Sequence, residues 1–204
     1  MEYLDAVAAR HSEYALGSDI DVSQDKVMET IRAVAEKVPS SYNSQSARAF
    51  VLFGEDHLAL WEIVRETLRA KVGDPERFAR TNAKIDGFAA ATGTILFYEI
   101  DSVTQGLIEK YPSYAGTFPT WAEHGNAILQ FAVWTALRDI GLGANLQHYN
   151  PLIDDRVRET FGIPDGYRLV AQMPFGRMVN PSPGKEKLPG TETVRLAHVV
   201  SRYS

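Results

Sequence analysis

Residues 120–140 restrict the fold of this chain more than any other stretch. Ile128, Leu129, Phe131, Val133, Trp134 and Leu137 put apolar side chains nearly all round a helix. A helix with one apolar stripe can lie on a surface, but one that is apolar on every side needs cover inside the domain or against another subunit. Gly141 follows as a natural left-handed residue after the last turn. The stretch is not a membrane span. Its most apolar part, 127–137, is interrupted by Gln130, followed by Arg138 and Asp139, and shorter than the roughly 20 residues a bilayer needs.

Periodicity places the other elements. Ser23 is a candidate N-cap for a helix with Val27, Met28, Ile31, Val34, Ala35 and Val38 at helical spacing, stopped by Pro39. A β-rich run at 49–53 follows a polar segment, Leu60, Trp61, Val64 and Leu68 mark an amphipathic helix, and 93–98 reads as a buried strand. Two more strands are expected at 142–146 and 169–173, with a short helix at 154–161 between them, closed by Gly162. Strands alternating with helices make a layered domain of both kinds of element. The chain of 204 residues fits a single domain, 1–204. Pro181, Pro183, Gly184, Pro189 and Gly190 predict an extended C-terminal arm over 180–204.

Composition narrows the chemistry. No cysteine is present, which excludes disulfides, thiolate nucleophiles, cysteine-bound zinc and iron–sulfur clusters. A net charge of -5 leaves no broad basic face for a long nucleic acid, yet permits one phosphate gripped by a few converging arginines. The first ten residues lack the layout of a signal or transit peptide, so a cytoplasmic location is expected, with no membrane partner. His11, His57, His124, His148 and His198 show no paired metal-ligand spacing, so no metal is expected. Gly141 and Gly143 imitate a dinucleotide fingerprint, but Leu146 stands where its third glycine belongs and a helix, not a strand, precedes them.

Three polar segments remain. Arg10-His11-Ser12, at the end of the opening helix, places a guanidinium beside a hydroxyl and could grip a phosphate oxygen; a cation at a helix C-terminus also has an ordinary electrostatic explanation. Pro39-Ser40-Ser41-Tyr42-Asn43-Ser44-Gln45 offers donors and acceptors for a heteroaromatic edge and a polyol, or is a turn bonded to its own backbone. The run from Gly141 to Pro151 lets a flat ligand approach its backbone, although a helix cap leading into a strand accounts for the same glycines.

Taken in order, these segments and Phe175-Gly176-Arg177 resemble the FMN-dependent nitroreductase family. That family has an Arg-x-Ser near its N-terminus, Pro-Ser-Ser-x-Asn-x-Gln about thirty residues later, a Gly-Leu-Gly-rich strand after a long central helix, and a glycine with a basic residue near its end. Lys84-Ile85-Asp86-Gly87-Phe88, Phe118-Pro119-Thr120-Trp121, Leu146-Gln147-His148-Tyr149-Asn150-Pro151 and Met173-Pro174-Phe175-Gly176 are similar to its fatty-acid-repression-type subgroup.

The resemblance implies an α+β fold, a mixed sheet flanked by helices in an intertwined homodimer, with FMN at the subunit interface. It implies that Arg10 and Ser12, with His11, hold the FMN phosphate and ribityl chain, and that Arg177 closes the phosphate site. Ser40, Ser41, Asn43 and Gln45 would approach the flavin from the partner subunit, and Gln147 and His148 would pass beside its reactive edge. His148 is the one nearby group able to donate a proton to an acceptor. The implied activity is ping-pong oxidation of NADH or NADPH with reduction of a small-molecule nitroaromatic or quinone-type acceptor. The alternative is a flavin-binding redox or lipid-signalling regulator with little turnover, in a subgroup associated with oxidative stress responses. Two departures stand out. Tyr14 occupies a position that is basic in many members, so a more reducing flavin is expected. Gln45-Ser46 replaces a Gln-Pro-aromatic run, so substrate preferences do not transfer.

Overall fold

The computed structural model describes residues 1–194. Its elements run α1 (Tyr3–Ala9), β1 (Leu16–Gly17), α2 (Gln24–Ala35), a 3-10 turn at Ser41–Asn43, β2 (Ala47–Phe53), α3 (Gly54–Val72), α4 (Pro75–Ala89), β3 (Gly93–Ile100), α5 (Asp101–Lys110), a second 3-10 turn at Pro112–Tyr114, α6 (Phe118–Asp139), β4 (Gly143–Ala144), α7 (Asp154–Phe161), β5 (Tyr167–Met178) and a single turn, α8 (Gly190–Thr193). The arrangement is α+β. The sheet runs β1-β5-β3-β2, with β4 also on β5. Its ladders are antiparallel, and an isolated bridge from Ser12 to Ala144 adds a parallel pairing.

Every residue of β3 is buried, which requires helices on both faces of the sheet. Alternation divides them. Ile95 and Phe97 join Leu129, Val133 and Leu137 of α6 and Val27 and Ile31 of α2, whereas Leu96 and Tyr98 join Leu60, Trp61 and Val64 of α3 with Ile85 of α4 and Val157 of α7. A register shift between Phe97 and Tyr98 pairs them with Ala171 and Leu169, leaving Val170 as the extra residue on β5. That bulge explains why Leu169 packs with the α3 layer while Ala171, two residues on, packs with the α6 layer.

The helix caps follow the local chemistry. Ser23 Oγ accepts from Lys26 N at 3.1 Å, as its position predicts. At the end of α6, Leu142 N donates to Leu137 O at 2.9 Å and Gly141 N to Arg138 O at 3.0 Å, with Gly141 at φ +87. This pair of bonds is the Schellman motif, and it turns the chain straight into β4. Its neighbours cover one side of α6 along its length and the other only near its C-terminal end, where Thr135 is buried. Leu129, Val133 and Leu137 are buried, but Ile128 and Phe131 are each 41% exposed one turn apart on the opposite side.

Several boundaries differ from the sequence reading. α2 ends at Ala35, and Glu36 and Lys37 complete its last turn before Pro39. The strand expected at 142–146 is regular only at Gly143–Ala144; beyond it the contact with β5 continues as single bonds, from Asn145 N to Pro174 O at 3.3 Å and between Gln147 and Gln172. β5 extends beyond 169–173 to cover Tyr167–Met178. In the arm, 181–189 has no regular element, 190–193 forms α8, and 195–204 lies outside the described residues. No helix of the described residues is long and apolar enough to cross a membrane.

Candidate functional site

α1 delivers Arg10 to the C-terminal half of α6. Arg138 Nε donates to Ala9 O at 3.0 Å, tying down the end of α1, and the Arg10 guanidinium then lies 4.4 Å from the centre of the Trp134 ring and 5.9 Å from that of Phe131. Desolvation lowers the pKa of Arg10, its Nε is buried without a hydrogen-bond partner, and it forms no ion pair among the described residues. A half-buried cation whose Nε has lost water without gaining an acceptor is suited to an incoming anion. It faces a cleft of about 410 Å³ that His11, Ser12, Tyr14, Lys185 and Lys187 also line.

The C-terminal arm closes that cleft. Val179 N donates to Ala15 O at 2.9 Å, and Ser182 N donates to Oε2 of the buried Glu13 at 2.7 Å. Gly184, at φ +78, lies so close to the His11 ring that a Cβ would fall 2.5 Å from its Cε1, so only glycine fits. Arg10, Lys185 and Lys187 together offer an anion three positive charges, against the one carboxylate of Glu13 that lines the same cleft. The two lysines are the functional candidates that the sequence reading missed, although paired cations in a Pro- and Gly-rich arm are a readable signal.

Arg177 is placed elsewhere. It sits opposite Gly17 on β1, and its Nε and Nη2 both reach Asp19 Oδ1 at 2.9 Å. The guanidinium holds the Asp19 carboxyl below its ordinary pKa. Arg177 does not line the Arg10 cleft.

The segment after α6 is attached to the same cleft by buried amides. Glu13 N donates to Ala144 O at 3.0 Å, and the fully buried Asn145 donates from Nδ2 to Glu13 O at 2.7 Å. Gln147 Nε2 donates to Asn145 Oδ1 at 2.7 Å, while its backbone exchanges both hydrogen bonds with Gln172. The Gln172 side chain accepts from Tyr149 N at 2.8 Å and donates to Asn150 Oδ1 at 3.2 Å. Gln147 is thereby fixed relative to Ser12. His148 beside it is exposed and has no hydrogen-bond partner among the described residues.

Ser40, Ser41, Asn43 and Gln45 occupy a different place. Ser40 packs near Gly125 in the N-terminal half of α6, and nine residues along the helix axis, ~13 Å at 1.5 Å per residue, separate Gly125 from Trp134. Ser40 Oγ accepts from Gln45 N at 2.9 Å, and Arg48 Nη1 donates to Gln45 O at 2.6 Å. Ser40 and Gln45 line a second cleft of about 470 Å³ between α2, β2 and α6, floored by Ile31, Val51 and Leu129. Ser41 and Asn43 are on the 3-10 turn outside it. The sequence candidates thus separate on one chain: Arg10, His11, Ser12 and Tyr14 line one cleft, Gln147 is tied to it through Asn145 and Glu13 with His148 beside it, the 40–45 segment lies apart, and Arg177 is in neither place. The described residues hold no group of three or more acidic or histidine side chains suited to a metal ion.

Comparison with known proteins places this geometry. The nitroreductase family model matches residues 7–177. The nitroreductase FRM2 of Saccharomyces cerevisiae is 31% identical over 176 residues, 85% of this chain and 86% of that protein. The nitroreductase CinD of Lactococcus lactis, in complex with nicotinic acid, superposes with a TM-score of 0.89 at 39% identity, covering 97% of this chain and 100% of that one. CinD has also been solved with chloramphenicol and with 4-nitrophenol. A nitroreductase of Desulfitobacterium hafniense with bound FMN shares the fold, with a TM-score of 0.71 at 18% identity over 97% of this chain and 99% of that one.

Proposed function

The chain belongs to the nitroreductase family, a family of oxidoreductases, and from that premise we propose that it is an FMN-dependent NAD(P)H oxidoreductase acting on nitroaromatic or quinone-type acceptors. One observation carries the cofactor: Arg10 is half-buried on Trp134, forms no ion pair among the described residues, and shares its cleft with Lys185 and Lys187. A phosphate monoester supplies the missing charge and acceptor oxygens, and a planar guanidinium can meet two of them at once.

When bound, FMN would supply two-electron redox chemistry between NADH or NADPH and a nitroaromatic or quinone-type acceptor. The chain's part is to hold and orient. Arg10, Lys185 and Lys187 take the phosphate, Ser12 and the backbone of His11 the ribityl chain, and Tyr14 offers one neutral donor where a cation would favour the reduced anion. Gln147, immobilised through Asn145, sets the backbone beside the flavin edge, and His148, exposed and unpartnered, is placed to donate a proton to the acceptor. Arg177, paired with Asp19 at the surface, lies outside the cleft that Arg10 lines and is not needed for this reading.

Two copies make the site complete. Ser40, Ser41, Asn43 and Gln45 lie at the far end of α6 from their own Arg10, as expected if they serve the partner's flavin. Ile128 and Phe131, exposed on a helix too apolar to face water, supply a surface for the second copy. The nicotinic acid and 4-nitrophenol held by CinD are a pyridine and a nitroaromatic, the ring types that a shared donor and acceptor slot would take.

The test is anaerobic titration of the FMN-reconstituted protein with NADH and NADPH, followed by an acceptor panel. Bleaching of the flavin band and sustained turnover are expected. A protein that takes up no FMN overturns the cofactor reading, and one that binds FMN without turnover indicates the regulatory role.

A further inference from the structure

The 40–45 segment holds three non-glycine residues in the left-handed region, Tyr42 at φ 54, Asn43 at φ 50 and Gln45 at φ 48. Asn adopts this conformation with little difficulty, but a bulky aromatic at positive φ is a genuine outlier that persists only where its surroundings impose it. Two hydrogen bonds fix the Gln45 end, from Gln45 N to Ser40 Oγ and from Arg48 to Gln45 O. At the other end the Tyr42 ring enters a cluster of four aromatic side chains. Its centroid is 5.0 Å from Tyr111, 5.3 Å edge-on from Phe118, 6.4 Å from Tyr114 and 6.1 Å from Trp121, stacked on the last at 22°.

These rings come from the second 3-10 turn and the start of α6, and they belong to neither of the two cores that hold the sheet. Tyr42 is 49% exposed and its hydroxyl has no hydrogen-bond partner among the described residues, so it contributes contact area rather than a polar anchor. A strained turn flanked by Ser41 and Asn43, with its central ring clamped to a separate helix, is pre-organised. Without the clamp, Tyr42 relaxes to negative φ and the Ser41 and Asn43 side chains are redirected.

We propose that Tyr42 is a positioning residue, whose clamp by Trp121 and Phe118 holds Ser41 and Asn43 in the geometry that meets the flavin. This rests on the proposed FMN site, and it assigns the work of the polar motif to the one apolar ring inside it.

The test compares Tyr42→Phe, which keeps the ring, with Tyr42→Ala, which loses the ring and disfavours positive φ. Tyr42→Phe is expected to match the parent chain in FMN affinity, in the visible circular dichroism of the bound flavin and in KM. Tyr42→Ala is expected to bind FMN about tenfold more weakly, the loss of one good aromatic pair, with an altered flavin signal and an unchanged far-UV spectrum. Trp121→Leu, which removes the stacked ring from the other side, is expected to reproduce that loss and decides the matter if Tyr42→Ala does not fold. Parent-like FMN affinity and flavin signal in Tyr42→Ala, or in Trp121→Leu, overturn the proposal. Failure of the parent chain itself to bind FMN overturns the cofactor reading instead.

Discussion

The Arg10 guanidinium rests 4.4 Å above the Trp134 ring with its Nε buried and unpaired. A cation–π contact recovers only part of the hydration that burial removes, so the group is held ready for an anion. Arg10→Ala is therefore expected to weaken FMN binding roughly ten- to a hundredfold, the range of one or two charge-assisted hydrogen bonds, while leaving the melting temperature of the FMN-free protein unchanged or higher. Arg10→Lys keeps the charge without the planar fork and should fall between the two. Fluorescence titration of FMN checks the series, and unchanged affinity in Arg10→Ala removes Arg10 from the phosphate site.

Lys185 and Lys187 line the Arg10 cleft, whereas Arg177 is engaged with Asp19 outside it. The double substitution Lys185→Ala/Lys187→Ala should weaken FMN binding and flatten its dependence on salt, because fewer charges meet the phosphate. Arg177→Ala should do neither. If Arg177→Ala releases FMN and the double variant does not, the phosphate site is the one that the Gly-Arg motif indicated.

Asn145 is buried with no exposure and joins Glu13 O to the Gln147 side chain, both at 2.7 Å. Asn145→Ala leaves a buried carbonyl without its donor, which costs about 1–3 kcal/mol. Asn145→Asp is expected to be worse, since its carboxylate sets two acceptors against each other. Urea denaturation reads the loss as a lower midpoint. A midpoint equal to the parent's in both variants rules out the amide as the link between the two halves of the cleft.

How far sequence reasoning reaches here depends on whether a residue's signal is local. α6, α3, α7 and the Ser23 cap were legible because apolar period, capping side chain and terminal glycine lie within one segment. α5 was not, since its short stripe of Val103, Leu107 and Ile108 is interrupted by Gly106 and only half-buried. α4 buries only Phe78, Ile85 and Phe88 behind a polar surface. In the site, Arg10, Ser12 and the 40–45 run stood out as motifs. Glu13, Asn145 and Gln172 did not, because their role consists of contacts across more than twenty residues of sequence. The pairing of Arg177 with Asp19 is likewise a fact of strand register, invisible before β1 is set against β5.

Glu99 supplies a pH dependence whose sign can be worked out. Its carboxyl is 1% exposed under the 44–46 segment, and Oε2 accepts from Asn126 Nδ2 at 3.2 Å. Burial raises its pKa, opposed by Ser46, Asn126 and the Arg168 charge and assisted by Glu123. With the folded value above the ordinary 4.5, the folded chain binds more protons than the unfolded one across the interval between them. This group's contribution is therefore fully present below the ordinary value and is lost as pH rises through the folded one. Glu99→Gln keeps the shape without the charge, so its stability relative to the parent should increase from pH 4.5 towards pH 8. Urea midpoints measured for both chains across that range provide the check, since shared ionisations cancel in the difference. Parallel curves mean that Glu99 does not retain its proton on folding.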